Sequence, residues 1–303
     1  MSLPTPRSPI QRIVVHLNDS PRSADALHLA DQIAGAHGAS LLALYAVDAS
    51  APGAFLSPEA SSVAMGLLLE AERTRREAVR QRVQATAPRL QAPMTLVLEE
   101  ADATGALLQA SRTADLLVLP QHDPAQPDGV GAGLAGRLLV GSGCPLLVVP
   151  YILHAGPTTP ACGQRVLLAW SGRRESARAL HDALPLLRCA AAVEVVHFSA
   201  AAAASAGDDA DPLAAVAEHL QRHGVSATCT LRSNPSHGML ERMQHGWTPD
   251  APVAEALLSH AADTGADLIV MGGYGHPRAW ELALGGVTRT MLRSMTVPVF
   301  LSH

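Results

Sequence analysis

The sequence predicts an α/β protein built from two tandem domains, each a five-stranded parallel sheet flanked by helices. Two observations carry this. Short apolar runs alternate with helical patterns along the chain, the rhythm of a parallel, helix-covered sheet. The order of elements then repeats at an offset of about 150 residues. Ser23-Ala24-Asp25-Ala26-Leu27 returns as Ser176-Ala177-Arg178-Ala179-Leu180, Ala114-Asp115-Leu116-Leu117-Val118 as Ala266-Asp267-Leu268-Ile269-Val270, and Cys144-Pro145-Leu146 as Val297-Pro298-Val299. The expected divisions are residues 1–150, a Pro- and Gly-containing linker over 151–164, and residues 165–303.

Taken in order, residues 12–17 form a short apolar strand, and Asn18-Asp19-Ser20-Pro21 turns into a helix over 23–36 whose Ala26, Leu27, Ala30, Ile33 and Ala34 share one face. Residues 40–47 are the next strand. A Pro/Gly/Ser-rich loop leads to a helix over 57–87, where Glu70, Glu72 and Glu77 interleave with Arg73, Arg75, Arg76, Arg80 and Arg82. Glu72 stands four before Arg76, the spacing of a solvated face with internal pairing rather than of a nucleic-acid site. Residues 94–98, 115–119 and 146–149 read as strands, with helices over 103–113 and 134–140 between them. The second copy opens on a strand at 166–170, has its third strand at 225–231 and a helix from about Ala251, and closes on a strand at 297–301.

Composition narrows the function classes. The 303 residues suit two modest cores, and a formal net charge of −5 argues against a nonspecific grip on nucleic acid or anionic lipid. No apolar run is long enough to span a bilayer, and the start, with Pro4, Pro6 and Pro9, lacks the apolar centre of a signal peptide, so a cytoplasmic protein is expected. Cys144, Cys162, Cys189 and Cys229 are scattered without a C-x-x-C pair, which argues against a disulfide framework or a thiolate metal site. The fourteen histidines show no helical ligand spacing, and no metal site is expected from them.

The most informative stretch runs from Ala266 to His303. The apolar run Leu268-Ile269-Val270-Met271 ends in Gly272-Gly273-Tyr274-Gly275, and after a loop Gly285-Gly286 opens a helix through Val287, Thr288 and Met291. Glycines at the carboxyl end of a parallel strand let backbone N–H groups approach an anion, and the following helix adds its unpaired N–H groups and positive dipole end. His276, directly after Gly275, is a further donor placed to reach a phosphate.

The spacing Gly272-x2-Gly275-x9-Gly285, a small residue opening a helix, and Val297-Pro298-Val299 as a last strand resemble the signature of the universal stress protein family. The resemblance covers nearly the whole chain, in the family's tandem form. It implies a Rossmann-like fold of the adenine-nucleotide alpha-hydrolase-like type in each half, and an adenine nucleotide, ATP or AMP, held by Ser171, Gly272, Gly273, Tyr274, Gly275, His276, Gly285, Gly286, Val287 and Thr288. It also implies that the final strands of the two halves, apolar and of edge type, cover each other in an intramolecular pseudo-dimer, with a homodimer as the further form. Two positions depart from the pattern. Ser171 stands where nucleotide-binding members carry an aspartate, and Gly286 where they carry Ser or Thr.

The repeat makes each half a control for the other. Opposite Gly272 and Gly275 the first half has Pro120 and Asp123, the one without an N–H to offer and the other repelling an anion, so the first half is expected to have lost the site. Residues 234–252, with His237, His245 and Trp247, have no counterpart of similar length in the first half. They lie between a strand and a helix, on the edge where ligands bind, as a lid or a surface excursion. No Ser-His-Asp spacing or Walker A motif occurs, and the chain has no lysine, which removes amine nucleophiles. A nucleotide-responsive binding module is therefore expected, with a slow ATPase or phosphotransferase and a nucleotide-free structural adaptor as the alternatives.

Overall fold

A computed structural model describes residues 10–18, 20, 22–47, 58–99, 102–123, 133–152, 162–199, 213–233, 251–274 and 286–303. These fall into two compact units, one ending at Cys144 and the other beginning at Pro145.

The first unit holds strands β1 (Arg12–Leu17), β2 (Ser40–Tyr45), β3 (Met94–Leu98) and β4 (Leu116–Pro120), and helices α1 (Ser23–His37), α2 (Pro58–Thr86), α3 (Ala103–Ser111) and α4 (Leu134–Gly141). The strands are ordered β3-β2-β1-β4 and every pair is parallel. Ile13, Val14, Val15, Leu116, Leu117 and Val118 are wholly buried, as central strands covered on both faces require. Helix α3 begins where the Asp102 carboxylate accepts the Thr104 and Gly105 N–H groups at 3.2 and 2.8 Å.

The second unit holds β5 (Leu146–Val149), β6 (Arg165–Trp170), β7 (Ala192–Ser199), β8 (Ala227–Ser233), β9 (Leu268–Gly272) and β10 (Val299–Ser302), with helices α5 (Arg174–Cys189), α6 (Ala214–Arg222), α7 (Ala251–Thr264) and α8 (Gly286–Ser294). Its order is β5-β10-β9-β6-β7-β8, and β6 to β10 form a five-stranded parallel sheet. Strand β5 lies antiparallel against β10, with Val148 opposite Val299 and Leu147 opposite Phe300. The two apolar final strands thus cover each other, and all four of these residues are buried.

The repeated Ala-Asp-Leu motif has a structural reason. Asp115 Oδ2 accepts the Gln11 and Arg12 N–H groups at 2.8 and 2.9 Å, and Asp267 accepts those of Gly163, Gln164 and Arg165 at 2.9 to 3.0 Å. In each half the carboxylate before one central strand ties down the chain entering the other. The third strand of the second half starts two residues later than its apolar pattern suggests. Val225 N–H is drawn back to the Leu220 carbonyl at 2.9 Å, closing α6 before extension begins.

Candidate functional site

In a parallel sheet the carboxyl ends of the strands form the edge where ligands bind. In the second unit the ends of β6, β7 and β9 border a cavity of about 280 Å³. Trp170 comes from the end of β6 and Ser171 from just beyond it, Val196, His197 and Phe198 from β7, Met271 and Gly272 from β9 and Tyr274 from just beyond it. Val253 and Leu257 of α7 form an apolar wall, while Glu175 and Ser176 of α5 and Val287 and Thr288 of α8 bring two helix N-termini to the rim. The chain has three each of Phe, Tyr and Trp, and one of each lines this cavity.

Five of the residues expected from sequence, Ser171, Gly272, Tyr274, Val287 and Thr288, meet here. Gly286 starts α8 and is buried. Gly273 sits at the end of the β9–β10 ladder, where its N–H donates to the Ser302 carbonyl at 2.8 Å and its carbonyl accepts from His303 Nδ1 at 3.1 Å. Gly275, His276 and Gly285 lie outside the described residues, as do positions 234–250 of the long loop.

Gly272 is a glycine because α5 leaves no room. A Cβ there would lie 2.4 Å from the Glu175 carbonyl carbon and 2.6 Å from the Ser176 nitrogen, far inside van der Waals contact. Tyr274 follows with φ of 58°, the left-handed region that L-residues seldom enter. Its N–H points to Thr288 Oγ1 at 3.4 Å, and its ring meets His303 edge-on at 6.1 Å, contacts that offset the local cost. Burial pushes the Tyr274 hydroxyl up to about 12, so it stays a neutral donor.

The two serine hydroxyls at the rim are committed. Ser171 donates to Ser176 Oγ at 3.1 Å, and Ser176 donates to the Arg173 carbonyl at 2.8 Å. Neither is paired with a general base, and among the described residues no group of three or more His, Cys, Asp or Glu is arranged to hold a metal ion.

The matching residues of the first half border less space. Asn18 and Ser23, at the places of Ser171 and Ser176, bond to each other at 2.6 Å, and they border a void of only about 10 Å³ that Val79, Arg82 and Val83 of α2 help to line. Pro120 ends β4 of the first half as Gly272 ends β9 of the second. The sequence reading did not pick out Trp170, Glu175, His197, Phe198, Val253 or Leu257. A signal for the first four was available, since each stands at the carboxyl end of a strand or in the first turn of the helix after it.

The fold compares with solved structures over nearly its full length. A universal stress protein from Archaeoglobus fulgidus is 16% identical, with 96% of this chain and 97% of that one covered and a TM-score of 0.65. A functionally unknown protein from Pseudomonas aeruginosa is also 16% identical, covering 97% and 93% with a TM-score of 0.58. None of the curated proteins matches the chain. The model of the universal stress protein family matches twice, over residues 9–150 and 163–303, and the chain therefore belongs to that family as a tandem of two such domains.

Proposed function

We propose that the second domain binds an adenine nucleotide, ATP or AMP, and that the chain works in the cytoplasm as a regulatory binding module of the stress response. The observation that carries this is the cavity at the carboxyl edge of β6, β7 and β9. It has an apolar and aromatic wall of the kind a planar base fills, and the N-terminus of α8 stands on its rim, where phosphate would meet unpaired N–H groups. Ser171, Gly272, Gly273, Tyr274, Gly286, Val287 and Thr288, with Gly275, His276 and Gly285 from the intervening loop, make up the nucleotide-binding set in this reading.

Equilibrium dialysis of the full chain against ATP and AMP tests the proposal, with phosphate release followed in parallel. Saturable binding without turnover is the expected result. Steady phosphate release assigns an ATPase instead, and no binding of either nucleotide leaves the structural adaptor.

A further inference from the structure

His197 ends the apolar run of β7 opposite Trp170 of β6 and lines the cavity between Val196 and Phe198. Its Nδ1 lies 2.9 Å from the Trp170 carbonyl oxygen. A carbonyl only accepts, so Nδ1 carries the proton, and in the neutral ring Nε2 is left with a lone pair. Nε2 has no hydrogen-bond partner among the described residues. The backbone has therefore fixed the tautomer of a cavity-lining imidazole and left its other nitrogen as an acceptor.

The neighbours decide what that acceptor would meet. Trp170, Val196, Phe198, Val253 and Leu257 supply the apolar part of the lining, while the helix N-terminus and the hydroxyl of Thr288 stand on the β9 side. A planar base belongs in the apolar part, and there a polar atom fixes orientation and selects among bases. Glu175, also on the wall, is a second acceptor when ionised.

We propose that His197 is the specificity-determining residue of this site. Its Nε2 accepts a hydrogen bond from the exocyclic amino group of a 6-aminopurine and disfavours a 6-oxopurine, which presents a carbonyl at the same place. The inference rests on the reading of the cavity as a nucleotide site and adds to it the side chain that chooses the base. His197 stands at the carboxyl end of β7 beside Val196 and Phe198 of the apolar lining, so its effect is expected on the choice of base.

The test compares ATP with inosine triphosphate, which differs only in the purine edge, by calorimetric titration of the full chain. The wild-type protein is expected to bind ATP at least about tenfold more tightly, the scale of one buried hydrogen bond gained against one mismatched. His197→Leu is expected to lose about tenfold in ATP affinity and to bind the two nucleotides equally. His197→Gln, whose amide oxygen restores an acceptor, is expected to recover part of the preference. Thermal unfolding of both variants separates loss of recognition from loss of fold, and the wild-type comparison stands without either. Equal wild-type affinities, or a preference for ATP that persists in folded His197→Leu, overturn the role of His197 while leaving a nucleotide site. Binding of neither nucleotide by the wild-type chain overturns the nucleotide reading and this inference together.

Discussion

Gly272 and Glu175 approach so closely that a Cβ on the first would lie 2.4 Å from the carbonyl carbon of the second. The contact seats the end of β9 on the first turn of α5, and so sets the floor of the cavity. The atoms in the way are mostly backbone and cannot swing aside. Gly272→Ala is expected to destabilise the protein by about 2 kcal/mol through this overpacking, read as a lower midpoint in urea. An unchanged midpoint would show that the strand and helix separate at little cost.

Asp267 and Asp115 do equivalent work with different numbers of donors. Asp267 accepts three backbone N–H groups and Asp115 two. Asp267→Ala is expected to cost about 1–3 kcal/mol and Asp115→Ala less, because each stranded donor loses a charge-assisted partner. Denaturant unfolding of the two variants checks the order, and the reverse order would contradict it.

The rings of His181, His219 and His223 form a run between α5 and α6, with centroids 4.8 and 4.5 Å apart. Arg188 of α5 closes one end, its Nη2 3.1 Å from His223 Nδ1. His219 Nε2 is buried and has no hydrogen-bond partner among the described residues. Burial first, then the neighbouring His223 and His181, holds His219 below the ordinary histidine range. The unfolded chain therefore takes up a proton here before the folded one does. Stability from this group is complete above the unfolded value of about 6.5, falls as the pH drops below it, and levels off once the folded group also titrates. His219→Phe, which keeps the ring contacts, is expected to lose less stability than wild type between about pH 7.5 and pH 5.5. Parallel pH profiles for the two proteins would contradict the assignment.

Much of this architecture could be read from the chain because its signals are local or repeated. The alternation of apolar runs and helices located most elements, and the doubled Ala-Asp-Leu motif fixed the tandem relation even though the work of its aspartate appears only in three dimensions. Of the residues around the candidate cavity, Gly272 was legible because it closes an apolar run, while Gly275 and Gly285 lie outside the described residues. His197 was not legible, since a histidine at the end of Val193-Glu194-Val195-Val196 looks like the close of a strand, and only its pairing with Trp170 sets the tautomer. Gly272 reads in sequence as part of an anion cradle, whereas α5, nearly a hundred residues earlier, is what demands a glycine there. The late start of β8 escaped because the apolar Val225 belongs to the pattern of the strand but to the hydrogen bonding of the α6 turn.

The central claim is that one half of this tandem keeps a nucleotide cavity while the matching turn of the other borders only a small void. Calorimetric titration of the full chain with ATP measures it directly, with Val253→Trp, which places a large ring on the α7 wall of the cavity, as the companion variant. The account predicts one nucleotide per chain, and affinity reduced at least about tenfold in a folded Val253→Trp protein, equivalent to about 1.4 kcal/mol. Two nucleotides per chain, none, or unchanged affinity in that variant would contradict it.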